Sequence, residues 1–386
     1  MCVNNMRVLF VSGSYPLMKC GIGDYLQCLA EAIADTGQVD VFVYTSNSPE
    51  VLSSEGNPKV MPVIRHWNWW SVAKISKAVT QMKPDIVHIQ YPTAGYKKSK
   101  AVQFLPAFIK ARNNNIKIVQ TWHDPFNFYW KGKVRFIPNL LAIDGIITVE
   151  PGWVEMLPAI YRQCLSKKIK SVIPLASNIL TVGLNTAERQ EIHERFGCVG
   201  EERLFAYFGF VSPRKGVENI FQIIQSIPSK LILICDLDPM IPYHKSILEK
   251  IGKEEWFNRI QVTGCLPAVT VARYLAAADA VILPFQDGVS PRYTSFLAAL
   301  AQGTLAVTTS YEKKGYFHEE NVYYASPEDS QALSEGLRQY SGRRIDPLQS
   351  HIPSWKSIAH KHVEFYKKLL INQRPNGIRK QDKTKK

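Results

Sequence analysis

The chain has 386 residues, 46% of them hydrophobic and 21% charged, with a formal net charge of +14 and a pI near 9.3. That length is too great for one ordinary core and favours two domains, and the composition excludes a disordered or fibrous chain. No apolar run approaches the roughly 20 residues of a membrane span, and the basic balance favours anionic partners such as nucleotides or acidic lipid surfaces.

The opening MCVNNMRVLFVSG lacks the pattern of a signal peptide: its apolar stretch is only a strand's length and runs into a turn, so a cytoplasmic protein is expected. The seven cysteines, Cys2, Cys20, Cys28, Cys164, Cys198, Cys235 and Cys265, are scattered without a CxxC pair. They suit small core residues better than a zinc site or a disulfide framework. Residues 7–12 (RVLFVS) read as a buried strand, 13–23 as a loop and 22–35 as an amphipathic helix. Strands follow at 39–44 and 85–91, with a helix at 68–82 between them. A helix at 98–112, interrupted by Pro106, leads to strands at 116–121, 145–150 and 171–174. Residues 175–202 connect the halves and contain a charged helix at 187–196.

The second half begins as the first does, with a strand at 203–208, a loop at 209–216 and a helix at 217–227. Strands at 231–235, 260–263, 281–285, 305–309 and 321–324 follow, then a helix at 355–370 and a polar, basic tail at 373–386 expected to be disordered. Strands alternating with helices predict α/β architecture with two Rossmann-like, doubly wound parallel sheets. The expected division is 1–174, 175–202, 203–354, a helix at 355–372 packing back toward the N-terminal domain, and the tail.

The unit at 279–309 is the richest. Its loop and helix entry carry Asp287, Gly288, Ser290, Arg292, Thr294 and Ser295, and Gly303 is placed to end the helix. In open α/β sheets a ligand sits where such a loop enters its helix. Helix amides and an arginine fork there suit a phosphate; the plainer alternative is an ordinary turn with a solvated arginine.

Four stretches together resemble a GT-B glycosyltransferase of the group 1, or family 4, type: VLFVSGSYPLMKCGIGDY near the start, TWHD at 121–124, YFGFVSPRKGVE at 207–218, and the 279–309 unit. The resemblance implies two Rossmann-like domains facing a cleft, with the donor mainly on the C-terminal domain and the acceptor mainly on the N-terminal one. It implies that Gly21 and Gly23 approach the donor phosphates, and that Asp24 and Tyr25 lie on the acceptor side. His123 would stand beside the transferred sugar, with Asp124 orienting it or capping a turn. Lys215 would contact the donor diphosphate, and Arg214 would supply the charge that members of the family carry where this chain has Phe210. The family's paired glutamates, counted back from Gly303, fall on Ala298 and Ser290, so both carboxylates are missing here.

The resemblance further implies a hexosyltransferase-type enzyme, retaining, using a nucleotide diphosphate sugar and needing neither cofactor nor metal. Asp236-Leu-Asp238 reads as a loop feature rather than a metal-binding pair. The acceptor is expected to be a carbohydrate or a lipid-linked one in polysaccharide or glycolipid synthesis. Arg65 beside HWNWW at 66–70, the lysines 97, 98, 100, 131 and 133, Arg135, and the aromatics at 126 and 128–130 fit peripheral contact with an anionic membrane face. They fit equally well aromatics in the core and lysines in water. No nucleic-acid-binding motif is present. A non-catalytic homologue and a nucleotide-sugar epimerase remain as alternatives.

Overall fold

In the computed structural model the described residues are 5–97, 99–124, 130–347 and 352–371, with the backbone alone described at 130–133. The expected tail at 373–386 lies outside them, as do Cys2, Lys98 and the aromatics at 126, 128 and 129; the side chains of Trp130, Lys131 and Lys133 are likewise not described. The chain divides into two compact units, one formed by residues Met1–Leu175 and Ser354–Lys386, the other by Ala176–Pro353.

The first unit runs β1 (Met6–Val11), α1 (Gly21–Ala34), β2 (Val39–Ser46), β3 (Lys59–Ile64), α2 (Trp69–Met82), β4 (Ile86–Tyr91), α3 (Leu105–Arg112), β5 (Lys117–Trp122), α4 (Trp130–Ala142), β6 (Gly145–Thr148), α5 (Ala159–Leu165) and β7 (Ile169–Val172). The strands form one seven-stranded sheet in the order β3-β2-β1-β4-β5-β6-β7, and its strand pairs are parallel. The central strands are buried on both faces, which explains their nearly continuous apolar runs. Strand β3 was not expected: KVMPVI carries a proline, which an edge position tolerates. Pro106 does not interrupt a helix but occupies the first turn of α3, where a missing N–H costs nothing. The helix expected from residue 98 is therefore a 3-10 turn at Ala101–Phe104 followed by α3.

The second unit runs α6 (Thr186–Arg195), β8 (Arg203–Phe208), α7 (Val217–Ile224), β9 (Ser229–Ile234), α8 (Pro242–Ile251), β10 (Ile260–Val262), α9 (Ala268–Ala277), β11 (Ala280–Leu283), α10 (Thr294–Ala301), β12 (Ala306–Thr309), β13 (Gly315–Phe317), β14 (Val322–Ala325) and α11 (Ser330–Tyr340). Its sheet also has seven strands, in the order β10-β9-β8-β11-β12-β14-β13. The expectation of a purely parallel sheet is corrected at one edge, where β13 pairs antiparallel with β14 as a short hairpin. The last helix, α12 (Trp355–Ile371), belongs to the first unit and packs on α1. Its buried face, Ile358, His362, Phe365, Tyr366 and Leu369, repeats at helical spacing.

An aspartate stands immediately before β4, β6 and β11, and each accepts a hydrogen bond from a backbone N–H of the neighbouring strand. Asp85 takes Arg7 N at 2.7 Å, Asp144 takes Ile118 N at 2.8 Å, and Asp279 takes Leu204 N at 2.8 Å. Strand order reverses between β1 and β4 in the first sheet and between β8 and β11 in the second. The loops leaving the carboxyl ends at such a reversal diverge and leave a crevice, the usual ligand position in open α/β sheets.

Candidate functional site

In the second unit both loops of the reversal point carry cations. After β8, residues Pro213–Lys215 form a 3-10 turn ending at Gly216, whose φ is +64°. A Cβ there would meet the Pro284 carbonyl oxygen at 2.1 Å, so glycine lets the turn press on the end of β11. The turn places the Lys215 Nζ 3.7 Å from the centre of the Tyr293 ring and 4.5 Å from that of Phe285. The two rings meet edge to face at 4.5 Å. Arg214 Nε donates to Asp287 Oδ2 at 2.5 Å, an ion pair in solvent that contributes little to stability. Arg292 lies 5.8 Å from the Tyr293 ring on its other approach from the loop. Among the described residues no carboxylate pairs with the Lys215 ammonium. Burial first, then Arg214 and Arg292, push its pKa down to about 8. An unneutralised, half-buried cation between two arginines favours a bound anion. No side chain caps the start of α10, so its first-turn amides add a partial positive charge beside this group.

In the first unit the loop after β1 and the start of α1 lie at the other reversal point. Gly13 and Gly95 touch there: a Cβ on Gly95 would sit 1.6 Å from the Gly13 carbonyl oxygen. His123, just past β5, is buried and its Nε2 donates to Gln90 Oε1 at 2.8 Å. Burial, followed by the neighbouring His362, pushes its pKa down to about 3, so it is a neutral imidazole at physiological pH. Tyr25 meets its ring edge-on at 4.9 Å and also contacts Trp355 at 5.5 Å. Beneath them His88 is hydrogen-bonded to Tyr366 Oη at 2.6 Å and to Thr121 Oγ1 at 2.7 Å. Asp24 is half-buried in the first turn of α1, and burial pushes its carboxyl up to about 6.

Of the residues singled out in the sequence, Arg214, Lys215, Asp287 and Arg292 come together, with Ser290 Oγ accepting the Arg292 backbone N–H at 3.4 Å. Thr294 is half-exposed at the start of α10, and Gly288 turns the loop at φ +73°. Three of the expected site residues are packed inward. Ser295 is buried against Gly209, where an added Cβ would stand 3.3 Å from its own, so it packs α10 onto the loop after β8. Tyr25 is only 2% exposed and packs on His123. A Cβ on Gly23 would stand 3.2 Å from the Tyr15 backbone, whereas Gly21 has open space where a side chain would project. Asp124 is exposed, and His123 is hydrogen-bonded to Gln90. Neither Ala298, fully buried in α10, nor Ser290 supplies a carboxylate. Among the described residues no cluster of three metal-ligating side chains occurs, and no helix is long and apolar enough to cross a membrane.

Sequence reasoning missed Tyr293 and Phe285, the rings around Lys215, and Gln90. A signal for Gln90 existed: β4 is buried along its whole length yet contains His88 and Gln90. Polar side chains in a fully buried strand need partners, and near a carboxyl end those partners belong to the site.

Residues 20–172 match the family model described as Glycosyltransferase Family 4. Among curated relatives, the putative teichuronic acid biosynthesis glycosyltransferase TuaC of Bacillus subtilis (strain 168) is 27% identical over 191 residues, which cover 47% of this chain and 46% of that protein. The chain therefore matches less than half the length of that relative. Sucrose-phosphate synthase from Thermosynechococcus elongatus superposes with a TM-score of 0.71 at 17% identity, covering 96% of this chain and all of that one. Anabaena Alr3699/HepE, solved in complex with UDP and glucose, gives 0.68 at 15% identity, covering 94% of this chain and 100% of its own. At such identities the solved structures establish the fold, and the family match covers most of the first unit. The chain thus has the two-sheet α/β fold of these solved structures, and its residues 20–172 are similar to Glycosyltransferase Family 4.

Proposed function

We propose that the protein transfers a hexose from a nucleotide diphosphate sugar to a hydroxyl of a carbohydrate or lipid-linked acceptor, with retention of configuration, in polysaccharide or glycolipid assembly. The observation that carries this reading is Lys215, charged and without a carboxylate beside the uncapped start of α10. In the reaction the bond from C1 of the sugar to the diphosphate oxygen breaks and a bond from C1 to the acceptor oxygen forms. The acceptor proton leaves with the diphosphate. Negative charge grows on the departing diphosphate, and Lys215, Arg292 and the α10 amides stabilise it where it grows. Those cations perform the neutralisation that a metal ion performs in other enzymes, so turnover is expected to survive chelation. His123, held neutral by burial, is unsuited to act as a cationic acid at neutral pH.

A panel of UDP-, GDP- and ADP-sugars tests the reading, starting with UDP-glucose. Nucleotide release from one donor, lost in Lys215→Ala, supports it. A second reading, a non-catalytic homologue that binds a nucleotide sugar, is favoured by the missing carboxylates at positions 290 and 298. Binding of a donor without nucleotide release or sugar isomerisation would select it. Isomerised sugar would select an epimerase, and no binding of any donor would reject all three. A cytoplasmic location, with peripheral attachment to the inner membrane face, belongs to the same proposal.

A further inference from the structure

A cavity of about 660 Å³ opens in the first unit at the carboxyl ends of β2 and β3, against α2. The segment between β3 and α2 that lines it is anchored by one buried residue outside the lining. Trp67 donates from Nε1 to Ser46 Oγ at 2.9 Å and packs edge-on against Tyr96 at 4.6 Å. Ser46 Oγ in turn donates to the Gly13 carbonyl at 2.6 Å, tying the cavity to the loop after β1. With Trp67 anchored, its neighbours are turned outward. Trp70 is 85% exposed, and Arg65, His66 and Lys74 are exposed around it. Trp70 and Lys74 stand one helical turn apart on the same face of α2. No acidic residue lines the cavity, and among the described residues neither Arg65 nor Lys74 forms an ion pair.

Leaving an indole in water forgoes the stabilisation its burial would give, and the helix and the Trp67 anchor hold it there. A flat aromatic face suits the C–H face of a pyranose ring, while uncompensated cations suit a carboxylate or phosphate. The volume lies within the roughly 300–1,000 Å³ range of small-ligand sites. We propose that this cavity is a subsite for an anionic carbohydrate, with Trp70 stacking on a sugar ring and Arg65 and Lys74 reading its negative group. On the glycosyltransferase reading, on which this assignment of role rests, the ligand is the acidic end of the acceptor chain.

The test uses the full-length protein and isothermal titration with a glucuronate-containing hyaluronan tetrasaccharide, neutral maltotetraose, and vesicles of phosphatidylglycerol. Selective binding of the acidic oligosaccharide, weakened at least tenfold in both Trp70→Ala and the double variant Arg65→Ser, Lys74→Ser, is the expected result. These side chains are exposed, so a circular dichroism melt should leave the variants folded. Equal binding of the neutral sugar, binding of vesicles alone, or acidic-sugar binding unchanged in the variants would overturn the proposal. Nucleotide binding at Lys215 is measured in the same variants. It should be unchanged, so failure at the cavity is separable from failure of the donor reading.

Discussion

Replacing Lys215 by methionine should make the protein more stable and a poorer nucleotide binder. The side chain keeps its length and loses its charge. In the folded chain the ammonium titrates at about 8 instead of the ordinary 10.5, because burial and two arginines oppose it. That gap corresponds to on the order of 3 kcal/mol against the charged form. The Tyr293 and Phe285 rings return about 1 kcal/mol through their contact with the cation. The variant should therefore gain about 2 kcal/mol at pH 7. The sign with pH follows from linkage: the folded pKa is depressed, so the penalty is complete below about 8 and disappears as pH rises through 10.5. The wild type should thus draw level with Lys215→Met by about pH 10.5. A charged hydrogen bond to phosphate contributes about 1.5–3 kcal/mol, so affinity for UDP, GDP or ADP, whichever binds, should fall roughly 10- to 150-fold. Urea denaturation at pH 7 and 10.5, with calorimetric titration of the three nucleotides, measures both. A variant less stable than wild type at pH 7, or a stability gap unchanged at pH 10.5, would refute the electrostatic account.

Tyr293→Leu should push the Lys215 titration lower and shift the alkaline loss of nucleotide affinity to lower pH, whereas Tyr293→Phe should leave that profile in place; the pH dependence of binding decides. Asp24→Asn should stabilise the protein by about 1–2 kcal/mol at pH 8, since the folded carboxyl titrates near 6 and its charge is penalised above that pH. The gain should fall away as pH drops from 6 through 3.8 and vanish about one unit below that, where the carboxyl is protonated folded and unfolded alike, and urea midpoints across that range check it. Tyr366→Phe leaves the His88 Nδ1 buried without its partner, at a cost of about 1–3 kcal/mol, measured as a lower urea midpoint.

The central strands were legible because burial on both faces leaves continuous apolar runs, and these gave the α/β class and the repeated halves. Edge strands were harder. β3 is interrupted by a proline, and β13 is only Gly315–Phe317, too short for any alternation to show. In the site, Lys215 and Arg292 could be found because a cation at a loop before a helix has a chemical meaning by itself. Tyr293 could not, since an aromatic before a helix acquires its meaning only when another loop brings an ammonium to its face. Tyr25 shows the converse: it follows Asp24 in the chain, but helical rotation turns it inward onto His123.

The aspartates before β4, β6 and β11 lie at the edge of each sheet farthest from the loops discussed above, yet they act as a datum for them. Asp279 fixes β11 against β8, and the loops after these strands carry Tyr293 and Lys215. A one-residue slip between the strands would displace one loop by about 3.3 Å, nearly the whole 3.7 Å that separates the ammonium from the ring. Accuracy at the working edge is thus set by levelling at the opposite one, and wear at either level would be read as the same loss of fit.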